Sequence, residues 1–250
     1  MDVAIRGDRA SCLSLQLGPH AWLFAVARGF GSFDGVGAAP ATLGRLRVEC
    51  ERRMRGERFR RAIARPNAAP TALLGVLARV NSELFARGAS HDDYVTAGCS
   101  LTAVLVLRAN AYVMHSGGTA AYLAHRGDVR ALTADDTLED AALPLLGRAL
   151  GTSASLDVAV TSVDVAPGDV MILMGHRVRG DVDRRALIAH VEEAGPGEHM
   201  LVVRFDDDDT APELAVLVDA NAAAPARIAR FAYAIAAIVL GIVLTTAWTL

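Results

Sequence analysis

The chain contains no lysine, so all 25 of its basic residues are arginines. This absence excludes any mechanism that needs a Schiff-base or catalytic lysine. The three cysteines, Cys12, Cys50 and Cys99, form no C-x-x-C pair, which argues against a disulfide scaffold or a zinc ribbon and for a reducing compartment. The net charge of −3 gives no overall attraction to nucleic acid or to acidic lipid.

Several motifs that identify enzyme classes are also absent. The sequence has no P-loop, no G-x-G-x-x-G, no G-x-S-x-G and no H-E-x-x-H. The glycine-rich stretches Gly29–Gly31 and Ser116–Gly118 match none of the spacings of phosphate-binding loops. Residues Met1–Arg6 lack the basic and apolar regions of a secretory signal, so we expect the folded part to be cytoplasmic.

The longest apolar run is Phe231–Leu250, twenty residues without a charge. A helix of that length spans about 30 Å, the thickness of the hydrocarbon core of a bilayer. Arg227 and Arg230 precede the run and Trp248 stands near its far end, as is typical of a span whose N-terminal side is cytoplasmic. A buried core helix is the alternative, but core helices seldom lack polar residues on every face. The sequence therefore predicts a single transmembrane tail anchor.

Before the anchor, short apolar runs alternate with two long helical patterns, which predicts one α+β domain over residues 1–218 and a linker over 219–229 that leads to the anchor at 230–250. Runs rich in Val, Leu and Ile and bounded by turn residues predict strands. These strands are expected at Cys12–Leu17, Trp22–Ala27, Ser100–Leu107, Ala111–His115, Ala120–Ala124, Leu156–Val165, Val170–Met174 and Met200–Phe205. Helices are expected at Ala41–Arg65, Thr71–Arg87 and Arg184–Ala194.

A series of short motifs follows the same order as these segments. They are RASCLS at Arg9–Ser14, VARGFGS at Val26–Ser32, GCSLTAVL at Gly98–Leu105, SGGTAAYL at Ser116–Leu123, RGDVRALTADD at Arg126–Asp136, LGRALG at Leu146–Gly151, PGDVMILMGHR at Pro167–Arg177 and EH at Glu198–His199. In order and interval they resemble the sequence blocks of the metal-dependent Ser/Thr protein phosphatases of type 2C, the PPM type. The resemblance covers about residues 3–205.

This resemblance implies a four-layer α/β/β/α sandwich, in which two antiparallel sheets pack face to face and helices flank both outer faces. A helical hairpin from about Ala41 to Arg87 is expected on one of these faces. Family members hold two Mn or Mg ions between the sheets, mainly with aspartates, and these ions activate a water molecule that attacks a phosphate monoester.

Five residues stand where the resembling family has its metal-binding carboxylates, and we call them the five aligned positions. They are Ser14, Arg28, Gly118, His176 and Glu198. Hard cations need anionic oxygen ligands, and only one of the five is a carboxylate. Arg28 also brings a permanent positive charge to the bridging position, where it would repel two cations. We expect no catalytic residue and no metal cofactor here.

The resulting hypothesis is a membrane-tethered pseudophosphatase that acts in phospho-signalling by binding a protein partner. By resemblance, the partner is a Ser/Thr kinase or a phosphoprotein, and nucleic acid is not expected. The alternative is a divergent, active phosphoprotein phosphatase with a non-standard metal site, to which His176, Glu198 and His199 would contribute. If the backbone of the family is retained, Arg28 should pair with Glu198 in the cleft and replace the missing cation.

The segment Arg45–Arg65 holds nine arginines and three glutamates. One interpretation is a solvated helix face, and the other is a basic patch that attracts anionic lipid or an acidic partner. The residues of the possible patch are Arg52, Arg53, Arg55, Arg58, Arg60 and Arg61. Nucleic acid is disfavoured because Phe59 is the segment's one aromatic residue.

The uncharged C-terminal segment makes a prediction about membrane attachment. The full chain should remain in the membrane fraction through an alkaline carbonate wash, because the transfer of twenty apolar residues from lipid to water is strongly unfavourable. A fragment of residues 1–218 should be recovered in the soluble fraction. Recovery of the full chain as a soluble protein without detergent would contradict the prediction.

Overall fold

The structure is a computed structural model that describes residues 2–6, 11–30, 35–88, 98–126, 128–138, 145–178, 182–183, 187, 199–205 and 214–216. Thirteen strands are found in this part of the chain. They are β1 (Asp2–Arg6), β2 (Cys12–Gly18), β3 (Ala21–Phe30), β4 (Gly98–Leu107), β5 (Asn110–Ser116), β6 (Ala120–His125), β7 (Asp128–Ala131), β8 (Thr137–Leu138), β9 (Leu145–Leu146), β10 (Ala159–Asp164), β11 (Val170–Met174), β12 (Met200–Arg204) and β13 (Leu214–Val216). The helices are α1 (Gly35–Met54), α2 (Glu57–Ile63) and α3 (Ala69–Gly88).

Two sheets form the body of the fold. A five-stranded sheet has the order β10-β5-β4-β3-β2, and a six-stranded sheet has the order β13-β1-β12-β11-β6-β7. Neighbouring strands are antiparallel throughout both sheets except for β1 and β13, which pair in parallel. The short strands β8 and β9 pair with each other in a separate ribbon.

Alternation along the strands divides the apolar side chains between two cores, because successive side chains of a strand point to opposite faces. In β3, Phe24 and Val26 pack between the two sheets, whereas Leu23 and Ala25 pack under the helices. The central core is completed from the six-stranded sheet by residues such as Leu173 of β11. The layer between the sheets is therefore a continuous apolar core, and its polar ends are where a site can form.

The three described helices all belong to the layer that covers the five-stranded sheet. Leu46 of α1 and Leu73 and Leu77 of α3 are fully buried in that layer. The outer face of the six-stranded sheet carries its own cluster, in which Tyr122 packs with Leu187. The arrangement is an α+β sandwich of two sheets, and the predicted helical hairpin on one outer face is confirmed.

Some predicted bounds are wrong. The single helix expected at Ala41–Arg65 is two helices, since α1 begins at Gly35 and ends at Met54, and Gly56 then adopts an extended conformation before α2. Pro40, the residue before the predicted start at Ala41, lies inside α1. The strand expected at Leu156–Val165 is shorter, as β10.

All eight predicted strands have a counterpart, but β1, β7, β8, β9 and β13 were not predicted, because they are short or lack an apolar run. Of the helix expected at Arg184–Ala194, the structure describes Leu187 alone, so that prediction lies outside the described residues. The anchor predicted at 230–250 and the linker at 219–229 lie outside them as well. Within the described ranges, no helix combines the length and the apolar character that crossing a bilayer requires.

Candidate functional site

The candidate site lies at one end of the core between the sheets, which we call the cleft end. On β3 the residue after Phe24 and Val26 on the same face is Arg28, which pairs in register with Ser100 of β4. The Arg28 side chain is exposed, whereas Ser100 is buried. The alternation of β3 therefore places a guanidinium on the face between the sheets at the point where the apolar core stops.

Ser14 does not reach the level of Arg28. The register of the β2–β3 hairpin pairs Ser14 with Phe24 and Cys12 with Val26. Ser14 therefore lies four strand positions from Arg28 along the hairpin, which corresponds to about 13 Å.

Gly118 belongs to a tight loop that connects β5 of one sheet with β6 of the other. Gly118 N donates a hydrogen bond of 3.0 Å to Ser100 Oγ, and Gly117 N donates one of 2.9 Å to Asp136 Oδ2. Gly117 has φ +100°, and a Cβ atom there would lie 2.3 Å from Ser100 Oγ. Residue 117 must therefore be glycine, and the loop presents backbone rather than ligand side chains at this corner.

The hydroxyl groups of two threonines connect the sheets beside this loop. Thr102 Oγ1 of β4 lies 2.7 Å from Thr119 Oγ1, at the start of β6, and 3.0 Å from His115 Nδ1 of β5. All three residues are buried. One arrangement of protons is consistent with these contacts: Thr119 donates to Thr102, Thr102 donates to Nδ1, and His115 carries its proton on Nε2, which lies 3.6 Å from Asp136 Oδ2, beyond hydrogen-bond distance.

Asp136 is the buried carboxylate of the cleft end. Its Oδ1 accepts a hydrogen bond of 2.5 Å from the Arg148 guanidinium, and its Oδ2 lies 3.6 Å from His115 Nε2. Arg177 lies nearby and donates to the carbonyl oxygen of Thr133. Burial lowers the pKa of His115; the Asp136 carboxylate opposes this effect, and the positive charges of Arg177 and Arg148 add to it. His115 is therefore neutral at pH 7.

Two histidines flank strands of the other sheet at this end. His176 lies two residues after the end of β11 and is half-buried, and His199 directly precedes β12. Gly175 N donates a hydrogen bond of 2.8 Å to the His199 carbonyl oxygen, which fixes the two segments side by side. Glu198 lies outside the described residues, so the predicted Arg28–Glu198 pair stays a prediction.

The described residues do not suit a pair of hard cations. Of the four described aligned positions, Ser14 is displaced along its strand, Gly118 has no side chain, and Arg28 is positively charged. The buried carboxylate Asp136 already accepts hydrogen bonds from Arg148 and the Gly117 backbone. Among the residues described, no three His, Cys, Asp or Glu side chains are grouped so that they could hold a metal ion. Because this donor set lacks free anionic oxygens, we derive no metal-dependent step from it.

The polar residues that build the cleft end were not singled out in the sequence. Nothing in the sequence motifs marks Thr102 or His115 as part of a site. A signal was nevertheless present, because the two-residue turn between β4 and β5 fixes a register that pairs Thr102 with His115. No comparable signal brings Asp136 and Arg148 together, since a ribbon and a loop separate them.

The six arginines of the possible basic patch fall into two groups. Glu49 accepts hydrogen bonds from both Arg52 and Arg53, at 2.7 and 2.6 Å. Arg61 pairs with Glu57, one turn earlier in α2. Arg55, Arg58 and Arg60 are exposed and make no ion pair with the carboxylates that the structure describes.

Comparison by sequence finds no relative: no family model matches the chain, and no curated protein is detectably similar. Comparison by structure does find similar proteins. The serine/threonine phosphatase of S. agalactiae matches with a TM-score of 0.60 at 15% identity, over 81% of this chain and 99% of that one. The PPM Ser-Thr phosphatase MsPP from Mycobacterium smegmatis matches with a TM-score of 0.57 at 21% identity, over 82% of this chain and 98% of that one.

A third structure, the Mycobacterium tuberculosis serine/threonine phosphatase PstP/Ppp, has a TM-score of 0.57 at 19% identity and covers 82% of this chain and 98% of its own. At such low identity the likeness establishes the fold alone. The expected resemblance is confirmed at that level.

The loop at Gly117 yields a prediction about stability. Gly117→Ala should destabilise the chain more than Gly168→Ala, although both glycines have positive φ. At Gly168 the added methyl group meets no atom within 4 Å, so its cost is the backbone conformation, about 1–2 kcal/mol. At Gly117 the methyl group must also displace Ser100, which should add about 1–3 kcal/mol. Urea unfolding measures both, and equal losses would contradict the contact with Ser100.

The lowered pKa of His115 yields a prediction about pH. Below the ordinary histidine pKa of 6.5, the His115 imidazole binds a proton in the unfolded chain but not in the folded chain. His115 therefore reduces the free energy of unfolding as the pH falls below 6.5, and it has no such effect above pH 6.5. Below 6.5 the free energy of unfolding falls by at most about 1.4 kcal/mol per pH unit because of this residue. In urea unfolding between pH 5 and 7.5, the difference between the wild-type chain and His115→Asn should change with pH in that window. Parallel profiles would show that His115 is not held neutral.

Proposed function

We propose that this chain, whose fold is that of the PPM-type Ser/Thr phosphatases, is a pseudophosphatase: a membrane-tethered module that binds partners in phospho-signalling and does not hydrolyse phosphoesters. The observation that carries the proposal is Arg28. It stands at the end of β3, on the face between the sheets, where the resembling family has its bridging aspartate.

A guanidinium at that point opposes the family's chemistry in two ways. It removes the carboxylate that would hold two cations close together, and it adds a positive charge that no accessible pH removes. The opposing wall gives no compensation, because Gly118 has no side chain and Asp136 is already bound by Arg148. This distribution of charge supports a cleft end that is stable without metal.

Support for the tether and the partner comes from the sequence. The uncharged segment Phe231–Leu250 supports attachment to a membrane, with the folded domain on the cytoplasmic side. By resemblance to the phosphatases, the partner would be a Ser/Thr kinase or a phosphoprotein. Co-purification from native membranes with the full chain as bait would identify it.

The alternative function, a divergent phosphatase with a non-standard metal site, is favoured by one observation. Backbone pairing at Gly175 brings the segments of His176 and His199 side by side at the cleft end. Neutral imidazoles bind zinc and iron, so a single ion is chemically conceivable where a pair of magnesium ions is not. His176 would then be essential for activity.

An assay with p-nitrophenyl phosphate and a phosphothreonine peptide separates the two functions. The full chain in mild detergent should show no turnover above the blank with Mn²⁺, Mg²⁺ or Zn²⁺, because the described donor set does not hold two cations. The matched variants are Arg28→Asp, which restores the carboxylate, and Arg28→Lys, which keeps the positive charge. We expect gain of Mn²⁺ binding with Arg28→Asp alone.

Two results would contradict the proposal. The first is metal-dependent turnover by the wild-type chain that His176→Ala abolishes, which would establish the divergent enzyme. The second is measurable Mn²⁺ binding by the wild-type chain that is as tight as binding by Arg28→Asp, which would show that Arg28 does not exclude cations.

A further inference from the structure

The arginines of α1 and α3 are almost all engaged by glutamates. Glu83 of α3 accepts hydrogen bonds from Arg45 and Arg79, and Glu49 of α1 accepts them from Arg52 and Arg53. The hydrogen bond from Arg52 is the main cause that lowers the pKa of Glu49 to about 2. Five of the six arginines in these two helices are therefore in ion pairs, although the three glutamates offset only half of the positive charge.

Helix α2 and the turn after it differ. Arg58, Arg61 and Arg65 follow at intervals of three and four residues, so their side chains project from one face. Their one acidic neighbour in α2 is Glu57, which pairs with Arg61. With the carboxylates that the structure describes, Arg58 and Arg65 form no ion pair.

This face forms one wall of a surface hollow of about 390 Å³. Its lining is Glu57, Arg58, Arg61, Ala62, Arg65 and Ala68. The three arginines and one glutamate give it a formal charge of +2. The other two lining residues, Ala62 and Ala68, have short side chains.

The backbone around the hollow is fixed. The Arg65 carbonyl oxygen accepts hydrogen bonds from Ala68 N at 3.0 Å and Ala69 N at 2.9 Å, which closes the turn between α2 and α3. Ile63, on the opposite side of α2, is fully buried and anchors the helix. The three guanidinium groups therefore extend from a preorganised frame, which reduces the entropy lost when they bind a ligand.

The hollow is separate from the cleft end. Helix α1 begins at Gly35, soon after the end of β3, and its 20 residues rise about 30 Å before α2 starts. Helix α2 then packs on α1, α3 and β2 in the helical layer rather than between the sheets. Nothing in the proposed function uses this face.

From this geometry we propose that the hollow binds a phosphate group. A guanidinium donates through a planar fork that matches two phosphate oxygens, so Arg58 and Arg65, with the N–H groups of Arg61 that Glu57 leaves open, can engage all the oxygens of a phosphate monoester. A phosphate dianion also neutralises the formal charge of +2 of the lining. The group can belong to a free phosphorylated solute or to the headgroup of an anionic phospholipid.

The test uses the full chain and two matched triple variants. The hollow variant is Arg58→Gln, Arg61→Gln and Arg65→Gln. The control variant is Arg47→Gln, Arg52→Gln and Arg79→Gln, which removes the same charge from exposed arginines that have glutamate partners. Thermal unfolding without ligand verifies that both variants fold.

The first arm titrates pyrophosphate into each protein in neutral detergent at fixed ionic strength, by calorimetry. The hollow variant should bind at least about tenfold more weakly than the wild-type chain, the equivalent of one lost charge-assisted hydrogen bond, and the control variant should match the wild-type chain.

The second arm places the full chain in nanodiscs of phosphatidylcholine alone or with phosphatidylinositol 4-phosphate. Hydrogen exchange of residues 57–65 should slow with the anionic lipid in the wild-type chain and not in the hollow variant.

If the hollow variant differs from the wild-type chain only in its affinity for pyrophosphate, the ligand is a soluble phosphate. If it differs only in hydrogen exchange with the anionic lipid, the ligand is a lipid headgroup. The proposal is overturned if neither arm distinguishes the hollow variant from the wild-type chain. It is also overturned if the control variant loses as much binding as the hollow variant, because the attraction would then be a property of net charge.

Discussion

The hydrogen bond between the hydroxyl groups of Thr102 and Thr119 joins the two sheets where their shared apolar core ends. Apolar packing holds two sheets together without direction, whereas a buried hydroxyl pair at 2.7 Å fixes how their ends meet. The pair is extended by His115 on one side, and all three residues are buried. A buried hydroxyl that lost its partner would carry a desolvation cost of about 1–3 kcal/mol, so the end of the sandwich depends on the whole chain of contacts.

The positions of the other polar groups at the cleft end depend on this contact between Thr102 and Thr119. The loop between β5 and β6 must cross from one sheet to the other in three residues, and the backbone N–H groups of Gly117 and Gly118 bind Asp136 and Ser100. Asp136 is in turn held by Arg148. In the resembling family, cations and aspartates supply charge at this end. Here hydrogen bonds between the protein's own polar groups and one partly buried ion pair supply the order, and the positive charge of Arg28 remains in contact with solvent.

Much of the fold could be predicted from the sequence, because apolar alternation is a local signal. The strands around Phe24 and Val104 were found in this way, and so was the helical hairpin that covers them. The division into α1 and α2 was missed, since Gly56 inside an arginine-rich run gives little warning of a break. The edge strand β13 was missed because it is three residues long and its pairing with β1 is remote in sequence.

The site was harder to predict than the fold. Alignment of motifs predicted that Arg28, Gly118 and Ser14 all lie at the cleft end. The hairpin register pairs Ser14 with Phe24 instead, and a sequence motif without gaps does not reveal that register. The pairing of Asp136 with Arg148 depends on how a ribbon folds back over the sheet, which no local pattern encodes. Residues that align with a family motif were therefore easier to predict than the residues, such as Asp136 and Arg148, that hold the cleft end together in this chain.

The central claim is that the cleft end is closed by the protein's own polar groups and does not need a metal. Thermal unfolding of the full chain with excess Mn²⁺, with Mg²⁺ and with a chelator tests this most directly, because a ligand that binds the native state raises the melting temperature. The account predicts the same melting temperature in all three solutions. A rise with Mn²⁺ that the chelator reverses, and that is absent in His176→Ala, would contradict it.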